Sequence, residues 1–388
     1  MIDLVKDIIS KNDIKKLIEW LETYPRLTKG ELTEKFEKQW SEYLGKKYSV
    51  YCNSGSSANL LALYSLIVSK KLDIGDKVVV PGISWNTDLS PVIQLGCKPI
   101  LCDCNLEDLS IDLEHFENIC KTESPKVLIL VSALGLVPEM DKIVDLCEKY
   151  NVILIEDTCE SLGSKHNGKL LGTFGELSTF SFYFGHHLST IEGGMVCTDD
   201  YDLYNFLKML RSHGWSRDVS DDLQRQLRSE YNISEFNSLF TAYVPGFNLR
   251  STDLQAFIGL QQIKKVEKLV KSRNNIFSVY RKLLKSSLWK PVTRQNQFIS
   301  SMMYPLIVEN RDDVVRELSK HKIETRPLVA GNIGNHPAYF NNFEKVFLKN
   351  AQYLDKHGLQ IPNHQDLTID EITLISSIVN RVSFNKTN

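Results

Sequence analysis

The sequence predicts an α/β fold: a mostly parallel, seven-stranded sheet in a large domain, residues 1–250, followed by a smaller α+β domain, residues 251–388. Three observations carry that reading. Apolar β-type runs alternate with helical patterns through the first 250 residues. Val127–Val131 (VLILV) and Val152–Glu156 (VILIE) are apolar almost throughout, as in strands covered on both faces. After residue 250 the alternation gives way to helical patterns around one short β-type patch.

In chain order, strands are expected at Tyr48–Cys52, Lys77–Pro81, Pro99–Asp103, Val127–Val131, Val152–Glu156, Ser178–Tyr183 and Met195–Thr198. Helices are expected at Glu31–Leu44, Ser56–Ser69, Met140–Tyr150 and Tyr201–Arg211. In the first, Leu32, Phe36, Trp40 and Leu44 recur every four residues and form one buried stripe. Asp218–Ser238 is polar and without period, which predicts a long mobile loop. Beyond it, Thr252–Leu288 reads as one long helix with room for a bend, and Met302–Val308 as a strand. Further helices are expected near Arg311–Lys320, Asn341–Lys349 and Ile369–Val382.

Composition excludes several classes of function. With 42% hydrophobic and 24% charged residues the chain is an ordinary folded one. Lys+Arg 46 against Asp+Glu 48 leaves −2, so no global positive field holds nucleic acid or an anionic membrane. The N-terminal MIDLVKDIISKND lacks the uninterrupted apolar core of a signal peptide. No apolar run approaches the ~18 residues of a membrane span. Eight cysteines without a secretion signal read as reduced thiols. A cytoplasmic protein is expected.

Ser54-Gly55-Ser56-Ser57-Ala58 follows a strand and opens a helix. Free N–H groups at such a start can hold a phosphate, or Ser54 can simply cap the helix. Asp157 ends the run VILIE, at the carboxyl edge where open α/β sheets bind ligands. It can pair with a cationic ring nitrogen or cap the next helix. The segment from Thr179 to Gly194 is the densest, holding His186-His187 and then Glu192-Gly193-Gly194. Adjacent side chains on extended backbone point oppositely, so at most one histidine is expected to face a site. Neither the histidines nor Cys97, Cys102 and Cys104 show metal-ligand spacing, so no metal is expected.

Together these motifs resemble the sugar-modifying (DegT/DnrJ/EryC1/StrS) branch of the fold-type I, pyridoxal-phosphate-dependent (PLP-dependent) transferases. The resemblance runs through Leu27-Thr28-Lys29-Gly30, Ser54-Gly55-Ser56, Val80-Pro81-Gly82-Ile83-Ser84-Trp85 and Glu156-Asp157-Thr158-Cys159-Glu160-Ser161. It continues through Ser181-Phe182, Glu192-Gly193-Gly194 and Gly246-Phe247-Asn248-Leu249-Arg250. It implies that Gly55, Ser56 and Ser181 hold the cofactor phosphate, Trp85 stacks on the ring, Asp157 pairs with its nitrogen, and Glu160 belongs to the same site. It also implies a homodimer with shared sites, Asn248 reaching the phosphate in the neighbouring subunit.

One departure decides the chemistry. Ordinary family aminotransferases place the cofactor-bonding lysine five residues after the serine of the Ser-Phe motif; here that position is His186. No lysine occurs between Lys169 and Lys208. An imidazole cannot bond to the cofactor aldehyde as a lysine does, yet it moves protons near neutral pH. This pattern resembles the family's GDP-linked sugar 3-dehydratases, supported by Arg211-Ser212-His213-Gly214-Trp215, Arg326-Pro327 and Pro362-Asn363-His364-Gln365. The resemblance implies non-covalent PLP (pyridoxamine form after L-glutamate donates nitrogen), His186 as acid and base, and loss of the C3 hydroxyl. His187, His213, Arg250 and Arg326 become candidate substrate contacts. CDP-sugar relatives carry an iron–sulfur cluster whose ligands lie mainly after the histidine; the last cysteine here is Cys197, so no cluster is expected. A sugar aminotransferase using a remote lysine, or an inactive regulator, remains as an alternative, and the sugar itself (hexose or heptose) stays open.

Overall fold

The computed structural model describes residues 1–342 and 346–383. Its main sheet comprises β1 (Tyr48–Cys52), β2 (Lys77–Pro81), β3 (Lys98–Cys102), β4 (Val127–Val131), β5 (Ile153–Asp157), β6 (Leu177–Ser181) and β7 (Gly194–Thr198). Their order is β1-β7-β6-β5-β4-β2-β3, and β7 alone runs against both its neighbours. These are the seven expected strands, with ends displaced by one or two residues. Every residue of β4 is buried. Successive side chains leave opposite faces of a strand, so both faces of the sheet are covered.

The helices before residue 250 are α1 (Lys11–Leu21), α2 (Glu31–Leu44), α3 (Gly55–Val68), α4 (Asn86–Gln94), α5 (Leu113–Glu123), α6 (Met140–Tyr150) and α7 (Tyr201–Arg211). The sequence pattern does not single out α1, α4 or α5. For α4 the reason is plain: Pro91 sits inside it, removing a donor that a helix normally uses.

Asp218–Ser238 is not the loop its composition suggests. It folds as a 3₁₀ turn at Ser216–Asp218, then α8 (Asp221–Glu230) and α9 (Glu235–Ser238). No residue of α8 is buried, and its apolar stripe is only Leu223 and Leu227, too short for periodicity to reveal. The expected single helix Thr252–Leu288 is also divided, into α10 (Asp253–Gln262) and α11 (Val266–Leu283), by a 3₁₀ turn at Ile263–Lys265. The break lets α10 pack on α2 while α11 packs on α14 (Ile369–Val382). Between them come α12 (Arg311–Lys320) and α13 (Lys349–His357). The helix expected at Asn341–Lys349 falls partly outside the described residues; the observed one begins at Lys349. A second sheet pairs β8 (Tyr304–Ile307), β9 (Arg326–Pro327) and β10 (Gly358–Ile361) in the order β8-β10-β9, all antiparallel.

One apolar cluster crosses residue 250, joining Val78 and Leu128 of the main sheet to Phe277, Tyr304 and Ile375. A second packs α2 on the other end of the sheet through aromatic edges, Trp40 to Phe182 at 4.7 Å and Phe36 to Tyr51 at 5.0 Å. Among the described residues no helix is long and apolar enough to cross a membrane.

Candidate active site

A cavity of about 760 Å³ opens along the carboxyl edge of the main sheet. Segments leaving β1, β2, β5 and β6 wall it, and β9 and β10 of the small sheet contribute Arg326, Pro327 and Gln360. Because β7 runs backwards, its first residue lies at this same edge. The excursion from β6 to β7, residues 182–193, therefore begins and ends beside the cavity.

The phosphate-type cradle lies where the sequence places it. Ser54 caps α3, its Oγ accepting from Ser57 N at 3.1 Å, and the first i→i−4 bond is Ala58 N to Ser54 O. The N–H groups of Gly55 and Ser56 precede that bond and are free to meet an anion. Only glycine fits at 55: a Cβ there would lie 2.6 Å from Ser181 Cβ. Gly55, Ser56 and Ser181 thus meet on one wall, and Ser54 is a helix cap whose geometry leaves room for a cradle beside it.

At the floor, Asp157 is fixed from two sides. Asn59 Nδ2 donates to its Oδ2 at 2.7 Å and Cys159 N to its Oδ1 at 2.9 Å. Asn59 in turn accepts from Thr179 Oγ1 at 2.6 Å and donates to Asp88 Oδ1 at 3.2 Å. Burial, with Asp157 close by, raises the Asp88 carboxyl well above its ordinary range. Burial also lifts Glu160 to about 7, although Leu134 N donates to its Oε2 at 2.7 Å. Glu156, one residue back on β5, faces the other way and accepts N–H bonds from Gly172, Phe174 and Gly175, each at 2.7 Å. Strand alternation thus gives two adjacent carboxylates separate tasks: Glu156 locks a loop, Asp157 faces the cavity.

His186 reaches the cavity; His187 does not. The backbone there is a turn rather than a strand, with His186 N bonded to Tyr183 O at 3.0 Å. Burial lowers the His186 ring to about 4, opposed by Asp157 and assisted by Arg273, so it is neutral and ready to accept a proton. His187 is buried, its Nε2 donating to Ser300 O at 2.9 Å. The structure therefore places His187, a candidate substrate contact in the sequence, off the cavity walls of this chain.

Trp85, half exposed, and Glu160 line the cavity, as does Arg326, the one Lys or Arg side chain on its described walls. His213 and Arg250 lie elsewhere, against Trp215, and do not line it. Nor does Asn248, whose Oδ1 accepts from Arg250 Nε at 3.0 Å. The sequence reading missed Asn59, Asp88, Tyr183, Met302, Met303, His336 and Gln360. Asp88 alone had a signal: it stands three residues after Trp85 and accepts from Trp85 N at 3.0 Å, the spacing of a helix-start box.

The donors present fit a phosphorylated pyridine. Free N–H groups and a serine hydroxyl suit a phosphate, Asp157 suits a protonated ring nitrogen, and Trp85 offers an aromatic face. No lysine lines the cavity among the described residues, so the group would be held without a covalent bond.

Comparison with known proteins agrees. Residues 7–380 match the model of the DegT/DnrJ/EryC1/StrS aminotransferase family. The chain is 34% identical over 364 residues to the GDP-4-keto-6-deoxy-D-mannose 3-dehydratase of Yersinia pseudotuberculosis, covering 91% of this chain and 92% of that protein. The Escherichia coli GDP-4-keto-6-deoxy-D-mannose-3-dehydratase with bound hydrated PLP superposes with a TM-score of 0.89 at 31% identity, covering 97% and 99% of the two chains. A structure of GDP-4-keto-6-deoxymannose-3-dehydratase with a trapped PLP-glutamate geminal diamine gives 0.89 at 30% identity, covering 97% and 100%.

Proposed function

The chain belongs to the DegT/DnrJ/EryC1/StrS aminotransferase family, and on that premise we propose that it is a PLP- and glutamate-dependent 3-dehydratase of a GDP-linked 4-keto-6-deoxy sugar. The observation that carries this reading is His186, standing in the cavity where ordinary family members place a lysine. The sugar loses its C3 oxygen and gains two electrons, and glutamate is oxidised to 2-oxoglutarate with release of ammonia. The product is a 4-keto-3,6-dideoxy sugar.

When bound, PLP supplies an electron sink that lets an adjacent C–H bond ionise. The chain's residues do the rest. Gly55 N, Ser56 N and Ser181 Oγ would hold the phosphate, and Asp157, anchored by Asn59, would keep the ring nitrogen protonated. Trp85 would cover one face of the ring. Neutral His186 would take the proton from C4′ and return it to the C3 hydroxyl as that group leaves, work worth roughly 10²–10⁴-fold in rate. Arg326, the one Lys or Arg on the walls among the described residues, would draw in the anionic substrates. Asn248 does not line the cavity of its own chain, and in a homodimer with shared sites it would serve the neighbouring one. Division into domains at residue 250 and a cytoplasmic location complete the proposal.

The test is incubation of the protein with PLP, L-glutamate and GDP-4-keto-6-deoxy-D-mannose. Ammonia, 2-oxoglutarate and a deoxygenated sugar are expected. Nitrogen retained in the sugar would make it an aminotransferase, and PLP retained on the denatured protein after borohydride reduction would reveal a bonding lysine.

A further inference from the structure

The segment Ile299–Met302 is held in an unusual manner. Four consecutive backbone carbonyls each accept a bond from a different side chain: Ile299 O from Asn274 at 2.8 Å, Ser300 O from His187 at 2.9 Å, Ser301 O from Asn363 at 2.7 Å, and Met302 O from Arg273 at 2.6 Å. All four residues of the segment are buried, as are His187, Arg273 and Asn363. From the other side Met302 N and Ser301 Oγ bond to Leu134 O at 3.1 and 2.9 Å. Leu134 N donates to Glu160 of the cavity. The segment is therefore a rigid rail, and its end, Met302 and Met303, lines the cavity.

The turn Tyr183–Leu188 carries His186, and its last residue, Leu188, is buried in the apolar cluster around Phe36 and Trp40. The turn's backbone bonds are local, Tyr183 N reaches only Ser181 Oγ, and Tyr183 meets its own neighbours Phe184 and His186 edge to face. Two hydrogen bonds tie the tip to distant elements among the described residues: the His186 ring to the backbone of Cys159, and His187 to Ser300 O. A carbonyl only accepts, so that bond fixes the His187 tautomer with its proton on Nε2. Burial and nearby Arg273 push the ring well below its ordinary range, so it stays neutral and keeps one orientation.

We propose that His187 is a positioning residue: its Nε2–H bond to Ser300 O hooks the turn to the rail and so sets where His186 stands in the cavity. This rests on the reading of His186 as the base. A displacement of the order of 1 Å in such a group costs about a hundredfold in rate.

The test compares holoenzyme variants for kcat, KM for the GDP-sugar and PLP affinity. His187→Leu removes the donor and is expected to lower kcat about ten- to a hundredfold while KM and PLP affinity move less than about threefold. His187→Gln places an amide N–H near the former Nε2 and is expected to recover most of that loss. Should His187→Leu fail to fold, His187→Asn replaces it, because its shorter amide cannot reach Ser300 O. Equal loss in the Gln variant and its comparator, or wild-type kcat without the donor, overturns the proposal. His186→Asn is assayed beside them. If that variant is inactive while His187→Leu is normal, only the positioning role falls; if His186→Asn turns over normally, the base assignment falls and takes this proposal with it.

Discussion

Two cavities at opposite faces of the same architecture treat charge in opposite ways. The second, about 570 Å³, lies between α2, the start of β1 and α7. There Arg211, fully buried, pairs with Glu37 and, at 3.2 Å, with Asp218, which also pairs with Lys29 at 3.1 Å. Glu37 accepts from Tyr51 N at 2.7 Å and Arg211 donates to Tyr51 O at 2.7 Å, closing the open side of edge strand β1. Lys29, Glu37, Lys46, Arg211 and Asp218 are all answered within the protein, while Lys208 lies 4.1 Å over the Tyr204 ring and is lowered by burial to about 8. In the first cavity Asp88, Asp157, Glu160 and Glu192 face one arginine. Charge answered internally builds structure, whereas charge left unanswered waits for a ligand.

That contrast can be broken or sharpened by experiment. The largest effect belongs to His186→Asn, expected to lower turnover roughly 10²–10⁴-fold while PLP titration followed by absorbance stays near wild type. Retained turnover would move the base elsewhere. In the ligand-free protein the same substitution removes a pH dependence. A ring lowered to about 4 contributes stability that is present above the ordinary value near 6.5 and is lost as pH falls through 4. Thermal melts across that window should therefore slope less in the variant.

Next comes Arg211→Met in the other cavity. Removing one partner of a buried pair strands Glu37, at a cost of about 3–5 kcal/mol in denaturant unfolding. Turnover per folded molecule should hardly change; a selective loss of kcat would tie this cavity to catalysis. The smallest effect is expected from Asp88→Asn. The Asp88 carboxyl is raised, so the folded protein holds its proton and loses stability as pH climbs from 3.8 toward the folded value. The amide carries no such proton. The variant should melt higher than wild type at neutral pH, and equal melting at all pH values would mean that Asp88 is ionised.

Much of this was legible from the residues. VLILV and VILIE declare buried parallel strands because both faces must be apolar. Gly55, Ser56, Asp157 and Ser181 sit at strand ends, where topology alone directs them to one edge. What stayed hidden comes from distant segments. Asn59 acts from the second turn of a helix whose composition is ordinary, and Gln360 and Met302 arrive from beyond residue 300. His187 misled because its neighbour is the functional one, and only the fold shows which ring of the pair turns inward. The helix α8 escaped notice because it buries nothing.

The reversed strand β7 has a consequence for how the protein is made. β1 emerges early but its strand partner is β7, Tyr48 opposite Thr198, with a further bridge from Cys52 to Arg250, so it must wait for those parts of the chain to be synthesised. Gly55 and Ser181, the two lips of the phosphate cup, meet only once β1 has docked. A ribosome-bound chain ending before β7 therefore has no cup, and PLP acts on folding only as a late seal, rewarding the completed sheet by mass action and ignoring everything before it.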